Sequence, residues 1–464
     1  MPILSAVMVP HPPLIIPKVG RGQEKAIQDT VAAFQRAMEL TASQKPETVV
    51  FLTPHSVMYA DYFHISPGTS ARGSFAQFHA GQVQMEVMYD APFVSELSRV
   101  ADVSGLPAGT LGERDKKLDH AAMVPLYFLR DAYHGDIPCK IVRIGLSGLS
   151  YADHYRLGML IRDTSEKLGR RISIIASGDL SHRLKEDGPY GFTKEGPAYD
   201  ERLMEAMGSG AFDALLRFDP DFCESAGECG HRSFVIMAGC LDGLSVKAEK
   251  LSYEGPFGVG YGVCTYLPQG SDENRHFLNA FYGEQKKMQD QRRQTEDEYV
   301  RLARKTLEAF VRHGETIHMP NGLPEDMTSR HAGVFVSLKK HGQLRGCIGT
   351  ITATTKCVAA EIIQNAVSAG AQDPRFDPVR AEELDELVYS VDVLGETEDI
   401  SSPEELDVKR YGVIVTNGRR RGLLLPNLSG IDTVKEQIAI AKSKASIKES
   451  EPVTLQRFEV VRHQ

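Results

Sequence analysis

No apolar run in this chain approaches the roughly 18 residues that a membrane-crossing helix needs, so no such helix is expected. At the N-terminus no basic segment leads a long apolar core, and Pro2, Pro10, Pro12 and Pro13 interrupt it, so no signal peptide is expected. Cysteine is sparse: the seven residues form an odd, scattered set without CxxC spacing. That argues against a disulfide framework or a zinc ribbon and fits a reducing cytoplasm. Positive charge is also short, with 53 Lys and Arg against 62 Asp and Glu and a net charge of -9. Nucleic-acid binding calls for clustered cations and is not expected. The one basic run, Arg419-Arg420-Arg421, abuts an apolar strand and reads as a solvated turn. Internal repeats and long low-complexity tracts are absent.

What is present is an ordinary globular composition, 42% hydrophobic and 25% charged, in 464 residues. That length exceeds one compact core, so two or three domains are expected. Residues 1–268 alternate short β-rich runs with helical stretches. The strands are ILSAVMV (3–9), TVVFL (48–52), CKIVRIGL (139–146), RISIIAS (171–177) and GVGYGVCTYL (258–267). Continuous apolar strands separated by helices imply an α/β domain whose sheet has helices on both faces. Residues 269–294 turn polar and read as a linker, partly helical. From 295 to 464 the pattern is α+β. Thr295 and Glu298 suggest a capping box before a helix with an apolar face of Tyr299, Leu302, Ala303, Leu307 and Phe310. VFVSL (334–338), CIGTI (347–351), LVYSVDVL (387–394) and GLLLP (422–426) read as strands.

Histidines follow the N-terminal strands. His11 lies in PHPP after the first, His55 in TPHS after the second, and His182 in GDLSH after RISIIAS. His120, in KLDHAAMVPLYF, stands where Asp119 or His120 begins a helix. Ligands of open α/β sheets bind at the carboxyl ends of the strands, where the loops converge. Neutral imidazoles arriving there together suit a metal ion. His64, His79, His134 and His154 lack this placement and read as surface or structural residues. The segment CESAGECGHRSFVIMAGC (223–240) supplies a third kind of ligand, Glu228 or Cys229, before a small apolar helix, with Gly227 and Gly230 allowing close approach. Two histidines with Glu228 would form the facial triad of non-haem Fe(II) oxygenases. Cys229 would instead favour zinc or copper, and Glu228 would then serve as a helix cap.

VPHPPL, TPHS, LDHAAMVPL, SGDLSH and the ECG segment, in this order, resemble the class III extradiol ring-cleavage dioxygenases of the LigB type and the related Memo-like proteins. The resemblance covers the first 268 residues. It implies His11, His55 and Glu228 as Fe(II) ligands, His182 as acid/base, and His120 lining the substrate site. The substrates it implies are O2 and a catechol-like or other hydroxylated aromatic compound. In Memo-like proteins a cysteine replaces the carboxylate, and Cys229-Gly230 fits that pattern equally. The alternative is therefore a metal-binding adaptor without ring cleavage, holding copper or zinc. A zinc hydrolase using the same histidines and an activated water is a third reading.

Residues 295–464 resemble the AMMECR family through LRGCIGTI (344–351), AQDPRFDPV (371–379) and RRGLLLP (420–426). The fusion is similar to the AmmeMemoRadiSam system A family, and this resemblance implies a radical-SAM pathway partner and is compatible with homo-oligomers. Within this domain Cys347, following a KHGQ turn (340–343), has Arg345 nearby, and an adjacent cation lowers a thiol pKa. The other reading of Cys347 is a small buried hydrophobe. Asp373, Arg375 and Asp377 form either a polar binding cluster or a structural ion pair.

Overall fold

The computed structural model describes residues 2–340, 343–428 and 430–464. Four apolar runs become β1 (Ile3–Val9), β2 (Thr48–Thr53), β3 (Lys140–Gly145) and β4 (Ile172–Ser177). They are mutually parallel and are extended by the antiparallel pair β5 (Leu244–Glu254) and β6 (Tyr261–Ser271), giving the order β3-β2-β4-β1-β6-β5. The register places Leu52, Ala176 and Met8 level on three neighbouring strands, so β2, β4 and β1 deliver their loops to one edge.

Each strand feeds two cores, because successive side chains alternate across the sheet. Ala6, Met8, Val50 and Leu52 pack with Tyr155, Leu157 and Phe234 on one face. Val7, Val9, Val49 and Phe51 pack with Phe34, Met38 and Leu129 on the other. The helices responsible include α1 (Gln28–Ser43) and α2 (His120–Ala132) on the second face, with α3 (Tyr151–Leu168) and α4 (His231–Cys240) on the first. The expected doubly covered α/β sheet is therefore present. α3 and α4 meet backbone to backbone. A Cβ on Gly158 would lie 2.0 Å from the Ile236 carbonyl oxygen, and one on Gly239 would lie 2.0 Å from that of Tyr155.

His154, in α3, is structural. It is fully buried, with Nδ1 2.8 Å from the Ser150 carbonyl oxygen and Nε2 facing the Ser147 N–H at 3.4 Å. These partners demand the neutral ring with its proton on Nδ1, and burial pushes its pKa down to about 3. The unfolded chain takes up this proton below about pH 6.5 and the folded chain does not, so the contribution of His154 to stability is complete above that pH and falls as pH drops towards 3. Asp200, pushed up to about 7 by burial, has the opposite sign over pH 4–7. Comparison of wild type with His154→Gln isolates the histidine: the wild type is expected to lose about 2 kcal/mol more between pH 6.5 and 4.5 in urea titrations.

The chain divides into compact units 1–284 and 285–464. Much of the polar stretch 269–294 is regular structure, comprising the end of β6 and most of α5 (Phe277–Thr295). The anticipated Thr295–Glu298 box does not form. The Thr295 hydroxyl donates back to the carbonyls of Gln291 and Arg292, while Asp297 caps α6 (Glu298–His313) by accepting from the Tyr299 and Val300 amides. The second unit contains β7 (Val334–Lys340), β8 (Gln343–Gly349), α7 (Val358–Ala371) and β9 (Leu387–Leu394). β10 (Glu398–Ile400), β11 (Gly412–Asn417), β12 (Arg420–Leu424), β13 (Thr454–Phe458) and β14 (Val460–His463) follow. Their sheet orders are β8-β7-β9-β14 and β10-β13-β11-β12. This is the expected α+β class. The strand anticipated at 347–351 begins earlier and ends at Gly349, where the Thr350 hydroxyl turns to the buried Glu361 carboxylate at 2.8 Å. His341 and Gly342 of the KHGQ turn lie outside the described residues.

Candidate metal centre

His11 and His55 each sit two residues beyond their strands, β1 and β2, and His182 five residues beyond β4. Pro10 has no amide to continue the strand ladder, and Pro13 opens a short 3-10 turn, so His11 is held in a stiff bend. Asp119 caps α2 through the Ala122 amide at 3.0 Å and accepts the Thr53 hydroxyl at 2.7 Å. The first turn of α2, and with it His120, is thereby tied to the end of β2. Behind them the buried guanidinium of Arg143 donates to Ser66 Oγ and to the carbonyls of Asp115 and Lys117, fixing the approach to His120.

Ring nitrogens of His11, His55 and His120 all lie within 4.8 Å of one another. His11 Nε2 and His55 Nε2 are 3.0 Å apart, about the spacing of two nitrogens that share an ion roughly 2.1 Å from each. The His11 tautomer is fixed by its neighbours. The Ser177 hydroxyl donates to the Ala121 carbonyl at 2.7 Å, so its lone pair is left to accept His11 Nδ1–H at 3.0 Å. His11 Nε2 therefore presents a lone pair to the cluster, and this donor set fits a metal ion. Ser177→Ala is expected to weaken metal affinity about 10- to 100-fold, the usual effect of losing a hydrogen bond behind a ligand. Competition with a chromophoric chelator measures it.

Two acidic groups join the histidines. Asp179 receives the His11 backbone N–H at 2.7 Å, and its second oxygen is 4.0 Å from His11 Nε2. Cys229 Sγ lies 3.6 Å from the same nitrogen and 3.3 Å from the Asp179 amide. Glu228 is engaged elsewhere: its carboxylate accepts the His231 amide at 2.6 Å at the start of α4, the capping role. The structure thus brings Cys229 to His11 and gives Glu228 to the helix. Asp179 supplies a carboxylate that the sequence reading overlooked, although it lies inside GDLSH. Gly178 makes the approach feasible, since a Cβ there would be 2.1 Å from Gly230 Cα.

Burial governs the charges. His11 is held well below the usual imidazole range by burial and then by His55, His120 and His182. Burial and His55 bring His120 to about 4, and burial, His55 and Arg183 bring His182 to about 4. Asp179 is pushed up to about 7 by burial, and the Cys229 thiol is raised far above its usual range by burial, then by Asp179 and Glu228. At neutral pH the His11–Asp179 contact is therefore no ion pair, because the imidazole is unprotonated. A bound cation would offset the burial of both acids and release their protons. A chamber of about 680 Å³ opens onto His55 and His120, with Ser74, Gln77 and Lys117 among its walls.

In the second unit Cys347 is partly exposed on β8 and accepts the Ser337 hydroxyl at 3.2 Å. Arg345 forks onto Glu383 with both contacts at 2.9 Å. Asp373 accepts the Cys347 amide at 2.9 Å, while Arg375 clasps Asp373 and donates to the Cys347 carbonyl at 3.0 Å. Asp373, brought to about 2 chiefly by Arg375, thus pairs with it to clamp the strand. Asp377 is exposed.

The fold is an α/β sheet covered on both faces, with imidazoles converging at its carboxyl edge in an arrangement that could hold a metal ion. Residues 5–264 match the family described as the catalytic LigB subunit of aromatic ring-opening dioxygenase, and residues 300–463 match AMMECR1. The chain belongs to this LigB family, whose members are typically metal-dependent, and carries a C-terminal AMMECR1 domain. A protein of Clostridium acetobutylicum is 43% identical over 465 residues, spanning 98% of both chains. One of Thermotoga maritima is 49% identical over 170 residues, 36% of this chain and 98% of its own. A crystal structure from Pyrococcus horikoshii aligns at 33% identity over 35% of this chain and 88% of that one, with a TM-score of 0.33. Among the described residues no helix is long and apolar enough to cross a membrane.

Proposed function

We propose that the N-terminal unit is a non-haem Fe(II) oxygenase of the extradiol type, acting on a catechol-like or other hydroxylated aromatic compound. The observation that carries this reading is the 3.0 Å meeting of His11 Nε2 and His55 Nε2, with the His11 lone pair fixed inward. His11 and His55 would hold the ion, with the carboxylate of Asp179 in the role first expected of Glu228. Bound Fe(II) would supply redox capacity and open positions for the aromatic diol and O2. His120 and His182, both unprotonated at neutral pH, can accept a phenolic proton. His120 faces the chamber directly, so a substrate entering there meets a base before it meets His11. The fused AMMECR1 domain supports, by resemblance, a shared pathway with a radical-SAM enzyme.

A second reading is favoured by one observation, the 3.6 Å approach of Cys229 Sγ to His11 Nε2. A thiolate beside imidazoles suits copper or zinc and a binding rather than ring-cleaving role. Anaerobic purification, metal analysis and addition of O2 with a panel of catechols separate the two. Iron, stoichiometric O2 uptake and a yellow ring-fission product are expected. Copper or zinc without O2 uptake sinks the oxygenase reading. Cys229→Ser sharpens the contrast, since an oxygenase using Asp179 keeps its iron while a thiolate site loses its metal.

A further inference from the structure

Tyr190 lies on the loop 183–193, which follows His182. Its ring is stacked on the His182 imidazole, with centroids 5.1 Å apart and planes 26° from parallel. Yet Tyr190 is 62% exposed, and Phe192, two residues on, is 48% exposed. A single exposed aromatic residue needs no explanation. This one is different because one ring face rests on a histidine of the candidate centre while much of the side chain remains open to solvent.

The loop is fastened at its base. The Leu184 amide donates to the Gly258 carbonyl at 3.1 Å, the Thr193 amide to Arg183 at 3.2 Å and the Thr193 hydroxyl to Ser225 at 2.9 Å. Lys185 Nζ reaches the Pro256 carbonyl at 2.7 Å, and Leu184 bridges to Phe192. These contacts fasten the ends of the loop, and the Tyr190 ring itself is held by its stack on His182, which limits the ordering still needed when something stacks on it.

We propose that Tyr190 is a specificity-determining residue, a ledge on which a planar aromatic substrate stacks beside His182. The inference rests on the oxygenase reading of the same site. Aromatic pairs gain beyond simple area burial, whereas an aliphatic molecule chelating the same ion gains no stacking. The ledge thus sorts ligands by planarity, a property the polar chamber on the His120 side does not test.

The experiment uses the full chain loaded anaerobically with Fe(II), with 4-nitrocatechol followed by its visible absorption and acetohydroxamate as an aliphatic chelator. Tyr190→Ala is expected to weaken 4-nitrocatechol about three- to ten-fold, to leave acetohydroxamate and iron content unchanged, and to be rescued by Tyr190→Phe. Equal loss for both chelators would mean a general distortion and overturns the inference, as does unchanged 4-nitrocatechol affinity in Tyr190→Ala. Failure of the wild type to bind either chelator overturns the oxygenase reading itself, and the ledge with it.

Discussion

His11→Ala is expected to abolish metal retention. His11 is 2% exposed and lies against His55, Cys229 and Asp179 together. Loss of a direct ligand exceeds the about 10- to 100-fold effect of losing a supporting hydrogen bond, so dialysed protein should contain almost no metal. His55→Ala should behave alike. His182→Ala should keep its metal and lose turnover, since the proposed reading makes His182 a base and not a ligand. Metal-to-protein ratios after dialysis, with circular dichroism as a check of folding, decide the matter. Full retention in both His11→Ala and His55→Ala would remove the ligand assignment.

Gly178→Ala should damage both stability and the site. The added Cβ would meet Gly230 Cα at 2.1 Å, and neither partner can yield cheaply. Gly178 continues directly from β4, whose residues are all buried, and its amide is bonded to the Val9 carbonyl at 3.0 Å. Gly230 leads into α4, which is seated on α3 through Gly158 and Gly239. Overpacking of this kind costs about 1–3 kcal/mol, which in a unit of this size lowers the melting temperature by roughly 2–10 °C. The same displacement separates Cys229 from Asp179 and His11, so alkylation of Cys229 should accelerate. Gly283→Ala is the control: nothing lies within 4 Å of its Cβ, and Gly283 is helical, so it should be neutral or slightly stabilising. A Gly178→Ala protein with unchanged melting and alkylation would contradict the close contact.

Much of this arrangement was legible in the sequence because burial on both faces leaves a plain mark. β1, β2 and β4 read as mainly apolar runs, and each is followed by a histidine that no apolar pattern required. The helix start could be placed at Asp119 or His120, and the structure makes Asp119 the cap of α2. The choice between Glu228 and Cys229 was not legible. Adjacent residues entering a helix point in different directions, and only their partners, His11 for Cys229 and the His231 amide for Glu228, distinguish them. Ser177 and Asp179 escaped notice because their roles arise across strands: each is defined by His11, which is 166 and 168 residues away. The cap of α6 was misplaced by two residues since Thr295 and Asp297 are both competent caps, and the hydrogen-bonding needs of the preceding α5 decide between them. In the second domain sequence proximity suggested Arg345 as a cation that could act on the Cys347 thiol, beside the reading of Cys347 as a small buried hydrophobe; the Arg345 guanidinium forks onto Glu383, remote in sequence.

The Ser177 hydroxyl meets the His11 imidazole directly and the backbone of the residue after His120 through the Ala121 carbonyl. The His11 ring and the first turn of α2 are therefore both referred to one strand in the middle of the sheet. Under the proposed function, an ion at His11 would meet a nitrogen whose place is set by the sheet, and a substitution at Ser177 in β4 would shift that nitrogen without touching a ligand.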